Sequence, residues 1–463
     1  MKTFFTKSAL YLALTIPAFF FLGCDDSEEG GSYEFSVEPT VLTFSAKQET
    51  QTLSVRTYGD WSIVLPQDAA WLKVSAMSGR GPAEIEVTAE NYYRTDTSRT
   101  ARLTVTGGNS GDFPVAVVQQ KLQMNDLSAA GKANCYIVPT SGDFVINAAT
   151  QGNSESEQVG EWTSAELLWE DNRELITDLY GDPESKRIFF STAAAGNAVI
   201  AVKDASGKIL WSWHIWATDF DPNAKTLKYT NDNGSTWEFM DRNLGAANAE
   251  SGSFGAFGLL YQWGRKDPFT AATAFAPENP SETIRWNMLN NPLPAMASDA
   301  DSMGTVQLSI EHPTSFYVTR YAHGDWNGQP DPDLWGAVSG QKTVYDPCPA
   351  GWRVPAYDAQ GDSPYAFVTR QTTTGTDNIG RIYTDGNGND FLFPVAGSRV
   401  NGTGTLDCPG NYGSLWTATG KTTSNEDGTI EYGCLLFFTT GRLVSATYYD
   451  TRSQGVSVRC VKE

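Results

Sequence analysis

Two stretches decide how the last part of this chain is read: Lys342-Thr-Val-Tyr-Asp-Pro-Cys-Pro-Ala-Gly-Trp-Arg-Val-Pro355 and Gly455-Val-Ser-Val-Arg-Cys-Val-Lys-Glu463. In the first, two prolines fix φ on either side of Cys348, so Tyr345 to Pro349 reads as a turn and not as a regular element. In the second, Val456 and Val458 alternate with Ser457 and Arg459 as the two faces of a strand do, which predicts Cys460 inside a sheet. The two segments read as one disulfide-closed unit.

Around them, residues 223–463 carry Gly-rich loops with one or two helices. Trp237-Glu-Phe-Met-Asp-Arg-Asn-Leu-Gly245 reads as a strand and turn. A helix is expected over Phe257 to Pro268, stopped by the proline, and a second over Tyr357 to Gln371. Strands are expected at Asp390–Gly397, Ser414–Thr419, Gly433–Phe438 and Leu443–Tyr448. Residues 270–340 are turn-rich, and a connection of that length is usually functional or an insertion. The Cys348 segment, the Arg459-Cys460 end, Trp237 to Gly245, Asp325-Trp-Asn-Gly and Asp333-Leu-Trp-Gly together resemble the Fibrobacter succinogenes major paralogous domain. That module is C-type lectin-like and common in Bacteroidetes surface proteins. The resemblance covers roughly 225–463 and implies an α+β lectin-like fold and binding instead of catalysis. It also implies nested bridges, Cys348 with Cys460 and Cys408 with Cys434, leaving Cys135 as a buried thiol among apolar neighbours.

Upstream, residues 33–121 hold seven short alternating runs broken by Gly, Pro, Asn and Asp, the signature of an immunoglobulin-sized β-sandwich. Gly59-Asp-Trp61, Trp71-Leu-Lys-Val-Ser75, Asn91 before Arg99, and Val117-Val-Gln-Gln120 resemble the BACON module. Trp61 and Trp71 stand on apolar faces and are expected in the core, not on a sugar platform. Residues 122–222 read as a second sandwich. Its last run, Ile209-Leu-Trp-Ser-Trp-His-Ile-Trp216, has aromatics on both faces, so one face packs on a sheet while the other is available to a domain boundary. The expected fold class is therefore multidomain: two all-β immunoglobulin-like sandwiches, then an α+β C-type lectin-like domain.

The start of the chain reads as a secretory signal over 1–23, with Lys2 and Lys7 before the apolar run Ala9 to Leu22. Phe21-Leu22-Gly23-Cys24 resembles a lipobox, which implies acylation of Cys24. The acidic linker 24–32 resembles the tag that sends lipoproteins to the outer face of the outer membrane. An ordinary secreted start followed by a solvated linker is the plainer alternative. With 33 basic against 54 acidic residues, a formal charge of -21 and no Lys/Arg cluster, a nucleic-acid partner is not expected. The only membrane attachment expected is lipid at Cys24.

No phosphate-binding Gly-rich loop or nucleophile elbow is present in the sequence, and three dispersed histidines make a hydrolytic triad improbable. Neither a catalytic role nor a cofactor is implied, and His214 is not expected to ligate a metal. Asp385-Gly-Asn-Gly-Asn-Asp390 spaces oxygens as calcium loops do but lacks the following Gly and the distal Glu of an EF-hand, so a hairpin turn is the preferred reading. The expected function is adhesion or recognition of a glycan or protein ligand at the cell exterior, with sandwiches as spacers; a pilus tip or accessory subunit is the alternative. By resemblance to lectin-like domains with diversified surfaces, the ligand-binding residues are Tyr412, Tyr448, Tyr449, Asp450, Arg452 and Ser453, with Trp416 assigned to the core. Adjacent tyrosines on a strand face opposite sides, so at least one of Tyr448 and Tyr449 is expected to be exposed.

Overall fold

The computed structural model describes residues 35–94, 97–274, 280–296, 298–299, 304–318, 324–370, 380–426, 428–441 and 443–463. The expected signal segment, Cys24 and the linker 24–32 lie outside the described residues, as does His323. The chain divides into two compact units, with the boundary between Leu122 and Gln123.

The first unit is a β-sandwich. One sheet runs Ser36–Glu38, Glu49–Arg56, Ala83–Ala89, Leu72–Val74, and the other Val41–Phe44, Asp112–Gln119, Arg99–Thr106, Asp60–Val64, Ser78–Arg80. Alternation fixes the inner faces: Leu53 and Val55, Ile85 and Val87, Leu103 and Val105, and Val115 and Val117 all point into one core. Trp61 is buried there and its Nε1 donates to the Gly81 carbonyl at 3.0 Å. Trp71 packs against the same core, with the Arg99 guanidinium 4.2 Å above its ring. Both tryptophans are thus structural, as their apolar contexts predict.

The second unit contains a sandwich of two four-stranded sheets. The first runs Asn125–Asp126, Gly142–Asn147, Arg187–Thr192, Ile176–Asp182; the second runs Cys135–Val138, Ile209–Ala217, Gly196–Lys203, Ser164–Glu170. Within Ile209–Ala217 the two faces have different partners. Trp211, Trp213, Ile215 and Ala217 enter the sandwich core. Trp216, on the opposite face, enters a core built mainly from residues beyond 223, including Met240, Leu244, Trp263, Cys348 and Cys460. The second sandwich, expected as a separate domain over 122–222, and residues 223–463 therefore form one compact unit, Gln123–Glu463, that shares a core.

Polar contacts cross the same seam. Ser212 donates to the Asp267 carboxylate at 2.6 Å, and Lys266 contacts the two Asp267 oxygens at 2.8 and 2.9 Å. The Asn134 side chain donates to the carbonyls of Val344 and Asp346 while accepting from Trp211 Nε1. Asn197 donates to Asp171 and to the Gly245 carbonyl, which leaves its Oδ1 to accept from His214 Nε2–H at 3.0 Å. His214 is a buried structural group.

Beyond 223, Thr226–Thr230 and Thr236–Met240 form a hairpin joined by Val461–Lys462 and Trp352–Arg353. A larger sheet runs Leu406–Asp407, Ser398–Arg399, Gly455–Ser457, Tyr412–Asn425, Gly428–Thr439, Val444–Thr451, with Leu260–Gln262 also paired to Gly455–Ser457. The hairpin of Gly380–Thr384 and Asp390–Pro394 turns through Asp385, whose carboxylate accepts from the Asn387 and Asn389 amides, so this segment is the tight turn preferred from sequence.

Three expectations are corrected. Phe257 to Pro268 is not a helix: a 3-10 turn at Phe254–Ala256 leads into the strand Leu260–Gln262. Gly258 and Gly264 have φ of +72° and +84°, the left-handed region that interrupts a helix. Of the second expected helix, the described residues show one turn, Phe367–Arg370. The terminal run is two short strands, Gly455–Ser457 and Val461–Lys462, and Cys460 lies between them.

The Cys348–Cys460 bridge is formed, with Cα atoms 6.0 Å apart, and closes a separation of 112 residues. The expected Cys408–Cys434 bridge is absent, and both cysteines are free, as is Cys135. Cys408 sits in a turn tied through Asn411 to Thr440, just past the end of Gly428–Thr439. Cys434 lies six residues back along that strand, about 20 Å at ~3.3 Å per residue, far outside the ~7 Å between Cα atoms that a disulfide tolerates.

Burial, which disfavours the charged form, pushes the His214 imidazole down to about 3. A depressed folded value means that the stabilising contribution is present above the unfolded value near 6.5 and is lost as pH falls from there towards 3. The loss attributable to this one proton is at most about 1.4 kcal/mol per pH unit. Chemical denaturation from pH 7 to pH 4 should therefore show the stability gap between the parent and His214→Gln narrowing as the pH is lowered.

Candidate functional site

The last three strands of the larger sheet are rich in Thr, Tyr, Ile, Leu and Phe, residue types that suit a pleated, half-buried surface. Tyr412–Asn425 and Gly428–Thr439 form a long hairpin, and Val444–Thr451 pairs outside it as the edge strand. Cys434 lies opposite Tyr449 and Leu435 opposite Tyr448, and the register shifts between Leu435 and Phe437. Such an irregularity re-aims side chains.

Tyr448 and Tyr449 are 43% and 40% exposed. Their ring centroids are 6.3 Å apart and their planes within 26°. Both rings are backed. Phe437 lies 4.9 Å from Tyr448 and is itself 5.5 Å from Tyr412. Tyr432 meets Tyr449 edge-on at 5.0 Å, and Lys421 Nζ stands 3.7 Å from the Tyr449 ring centroid. The result is a continuous file of five aromatic rings over three strands, whose two most exposed members sit on the edge strand. Aromatic pairs of this geometry contribute about 0.5–1.5 kcal/mol each beyond area burial, so the exposed rings are held before any ligand arrives.

The remaining expected site residues separate into two groups. Tyr412 is half-buried at the end of the file, its hydroxyl between Ser398 Oγ at 2.7 Å and an Asp407 oxygen at 3.0 Å. Asp450 is half-buried beside Tyr449, accepts from the Thr451 amide, and burial raises its carboxyl pKa. Arg452 and Ser453 do not belong to this surface: both are fully buried. Arg452 Nη1 donates to Asp325 Oδ2 at 3.0 Å, and the guanidinium lies 4.2 Å over the Trp263 ring. Its Nη2 approaches Glu431 at 3.1 Å as a charge contact off hydrogen-bond alignment. Ser453 is fixed to the Gly324 carbonyl through its amide and hydroxyl. Assigning Arg452 and Ser453 to ligand contact is therefore corrected: Arg452 joins the loop at 325 to the sheet. Trp416 is core, its Nε1 donating to the Tyr261 carbonyl at 2.8 Å.

Sequence reading missed Phe437, Tyr432 and Lys421. Tyr432 and Phe437 are five residues apart, an odd spacing that strict alternation places on opposite faces, and they join one file only through Tyr449 and Tyr448 on the edge strand, which carries the extra residue of the register shift. Among the described residues no group of three His, Cys, Asp or Glu is placed to hold a metal ion.

This architecture defines a β-rich, multidomain protein with an immunoglobulin-like sandwich at its amino-terminal side. Within that sandwich, residues 61–120 match the BACON family model, described as "Putative binding domain, N-terminal". No curated protein matches the chain. Among solved structures it is similar to a Bacteroides ovatus GH5 xyloglucanase in complex with a XXXG heptasaccharide, at 24% identity, over 23% of this chain and 27% of that one, with a TM-score of 0.18. The chain thus spans about a quarter of that relative's length. It is also similar to a protein from Bacteroides thetaiotaomicron, at 18% identity over 22% of this chain and 100% of that one, with a TM-score of 0.15. A third similarity is to the BIgI domain of the S. agalactiae beta protein bound to CEACAM1, at 16% identity over 19% and 98% of the two chains, with a TM-score of 0.16.

Because Arg452 and Asp325 form a buried ion pair, Arg452→Ala should lower unfolding stability by about 3–5 kcal/mol, the usual cost of breaking such a pair from one side. Thermal or denaturant unfolding checks it, and a stability within 0.5 kcal/mol of the parent, roughly the size of an ordinary surface change, would restore Arg452 to the ligand-binding list.

Proposed function

We propose that the protein is a lipid-anchored receptor on the outer face of the outer membrane. Its second unit, whose distal part has a lectin-like fold, recognises a glycan or protein ligand and does no catalysis. The observation that carries this reading is the exposed, braced pair Tyr448 and Tyr449 on a sheet edge. Large, rigid amphipathic rings lose little entropy on binding and are typical of recognition surfaces. The BACON match and the Cys348–Cys460 bridge, of a kind that persists in oxidising compartments, support an exported binding protein. The lipobox-like Phe21-Leu-Gly-Cys24 and the acidic residues behind it support the anchor.

Glycan and protein arrays probed with the second unit, Gln123–Glu463, test the reading. Once a ligand is found, Tyr449→Ala should weaken it by about 1–2 kcal/mol with the melting temperature nearly unchanged; unaltered affinity in Tyr448→Ala and Tyr449→Ala together would move the site elsewhere. For the anchor, Cys24→Ala should shift the protein from the membrane fraction to the soluble one, and retention in the membrane fraction would rule out lipid at Cys24.

A further inference from the structure

The geometry points to a neutral glycan as the ligand of the Tyr448–Tyr449 surface, taken through the apolar C–H faces of two consecutive sugar rings. This rests on the recognition role proposed above and narrows it to one chemistry. The first argument is size. The exposed two fifths of each tyrosine offer on the order of 200 Å² together, against the ~800 Å² per partner of a standard protein interface. The described apolar patch does not widen to meet that need, because the other rings of the file, Phe437, Tyr432 and Tyr412, are half-buried beneath or beside the pair. A sugar ring presents an apolar face about as wide as one tyrosine ring, so two near-parallel rings suit two successive sugars.

The second argument is charge. Carboxylates stand at both ends of the file: Asp407 is bonded to the Tyr412 hydroxyl, while Asp450 follows Tyr449 on the edge strand. Lys421 is the cation at the file, and its ammonium is already placed over the Tyr449 ring. With a chain charge of -21 behind them, these groups repel a polyanion such as a polyuronate. A neutral glycan meets no such penalty.

Titration calorimetry on the full exported chain, with cello-, xylo- and manno-oligosaccharides from one sugar to six and with polygalacturonate, tests this. At least one neutral series should bind, tighten by about tenfold from monosaccharide to disaccharide, gain little with further length, and be insensitive to salt. Tyr448→Ala and Tyr449→Ala should each weaken it about tenfold, while Tyr449→Phe, which keeps the ring, should stay within about threefold. Preferential, salt-sensitive binding of polygalacturonate, or no binding by any neutral series, overturns the inference. A protein ligand lost in both tyrosine variants overturns it too but leaves the recognition role standing. A neutral glycan that binds both alanine variants as tightly as the parent overturns the inference and the proposed site together.

Discussion

Everything in the second unit depends on one strand being buried on both faces. Ile209–Ala217 carries Trp211, Trp213 and Ile215 into the sandwich core, while Ser212, His214 and Trp216 face the structure built from residues beyond 223. A strand covered on both sides has no solvent face on which to place charge. The polar groups it does carry must find fixed partners, which here are Asp267 for Ser212 and Asn197 for His214. The outer face of a sandwich, usually polar, is thereby converted into a foundation. The larger sheet shares the core that holds Trp216, so its aromatic edge stands on a packed support and not on a flexible linker.

The charges buried further out follow the same logic. Arg452 is placed between Asp325 and the Trp263 ring, and Arg399 bonds the Thr270 carbonyl and pairs with Glu282 at 2.7 Å. Each arginine reaches from the sheet to a turn-rich segment of the 270–340 region that has little regular structure of its own. Removal of either cation would break a charge contact made by a buried guanidinium, so these contacts help specify where the irregular segments lie.

What the sequence made legible was what local pattern controls. Alternation at Leu53/Val55 and Val115/Val117 marked the first sandwich, and the aromatic run ending at Trp216 announced a strand with two covered faces. The turn at Asp385 followed from its residue types. The Cys348–Cys460 pairing came from resemblance and not from spacing alone; the same resemblance suggested Cys408–Cys434, which fails because one cysteine is in a turn and the other far along a strand. The helix expected over Phe257–Pro268 failed because Gly258 and Gly264 take left-handed conformations that apolar periodicity does not report. At the site, the exposure of at least one of Tyr448 and Tyr449 was readable, though not that their rings would lie together, whereas Arg452 was misread. An arginine beside tyrosines looks like an interface residue until a carboxylate 127 positions away in sequence, Asp325, is brought against it. Phe437 and Tyr432 were hidden because they meet the edge tyrosines only through the pairing of two strands, which cannot be seen in one.

The strand pairings also set an order for building the molecule. Leu260–Gln262 pairs with Gly455–Ser457, and Phe239 with Val461, so the second unit stays open until residues 455–462 are available to it. The first unit needs nothing from that distant segment: its partners are all local, and residues 35–122 contain no cysteine that could be trapped in a wrong pairing. The chain therefore holds one module that can be completed early and one that cannot. The later one carries Cys348 and the free thiols Cys135, Cys408 and Cys434, so the Cys348–Cys460 bridge can close only once the last strands are present.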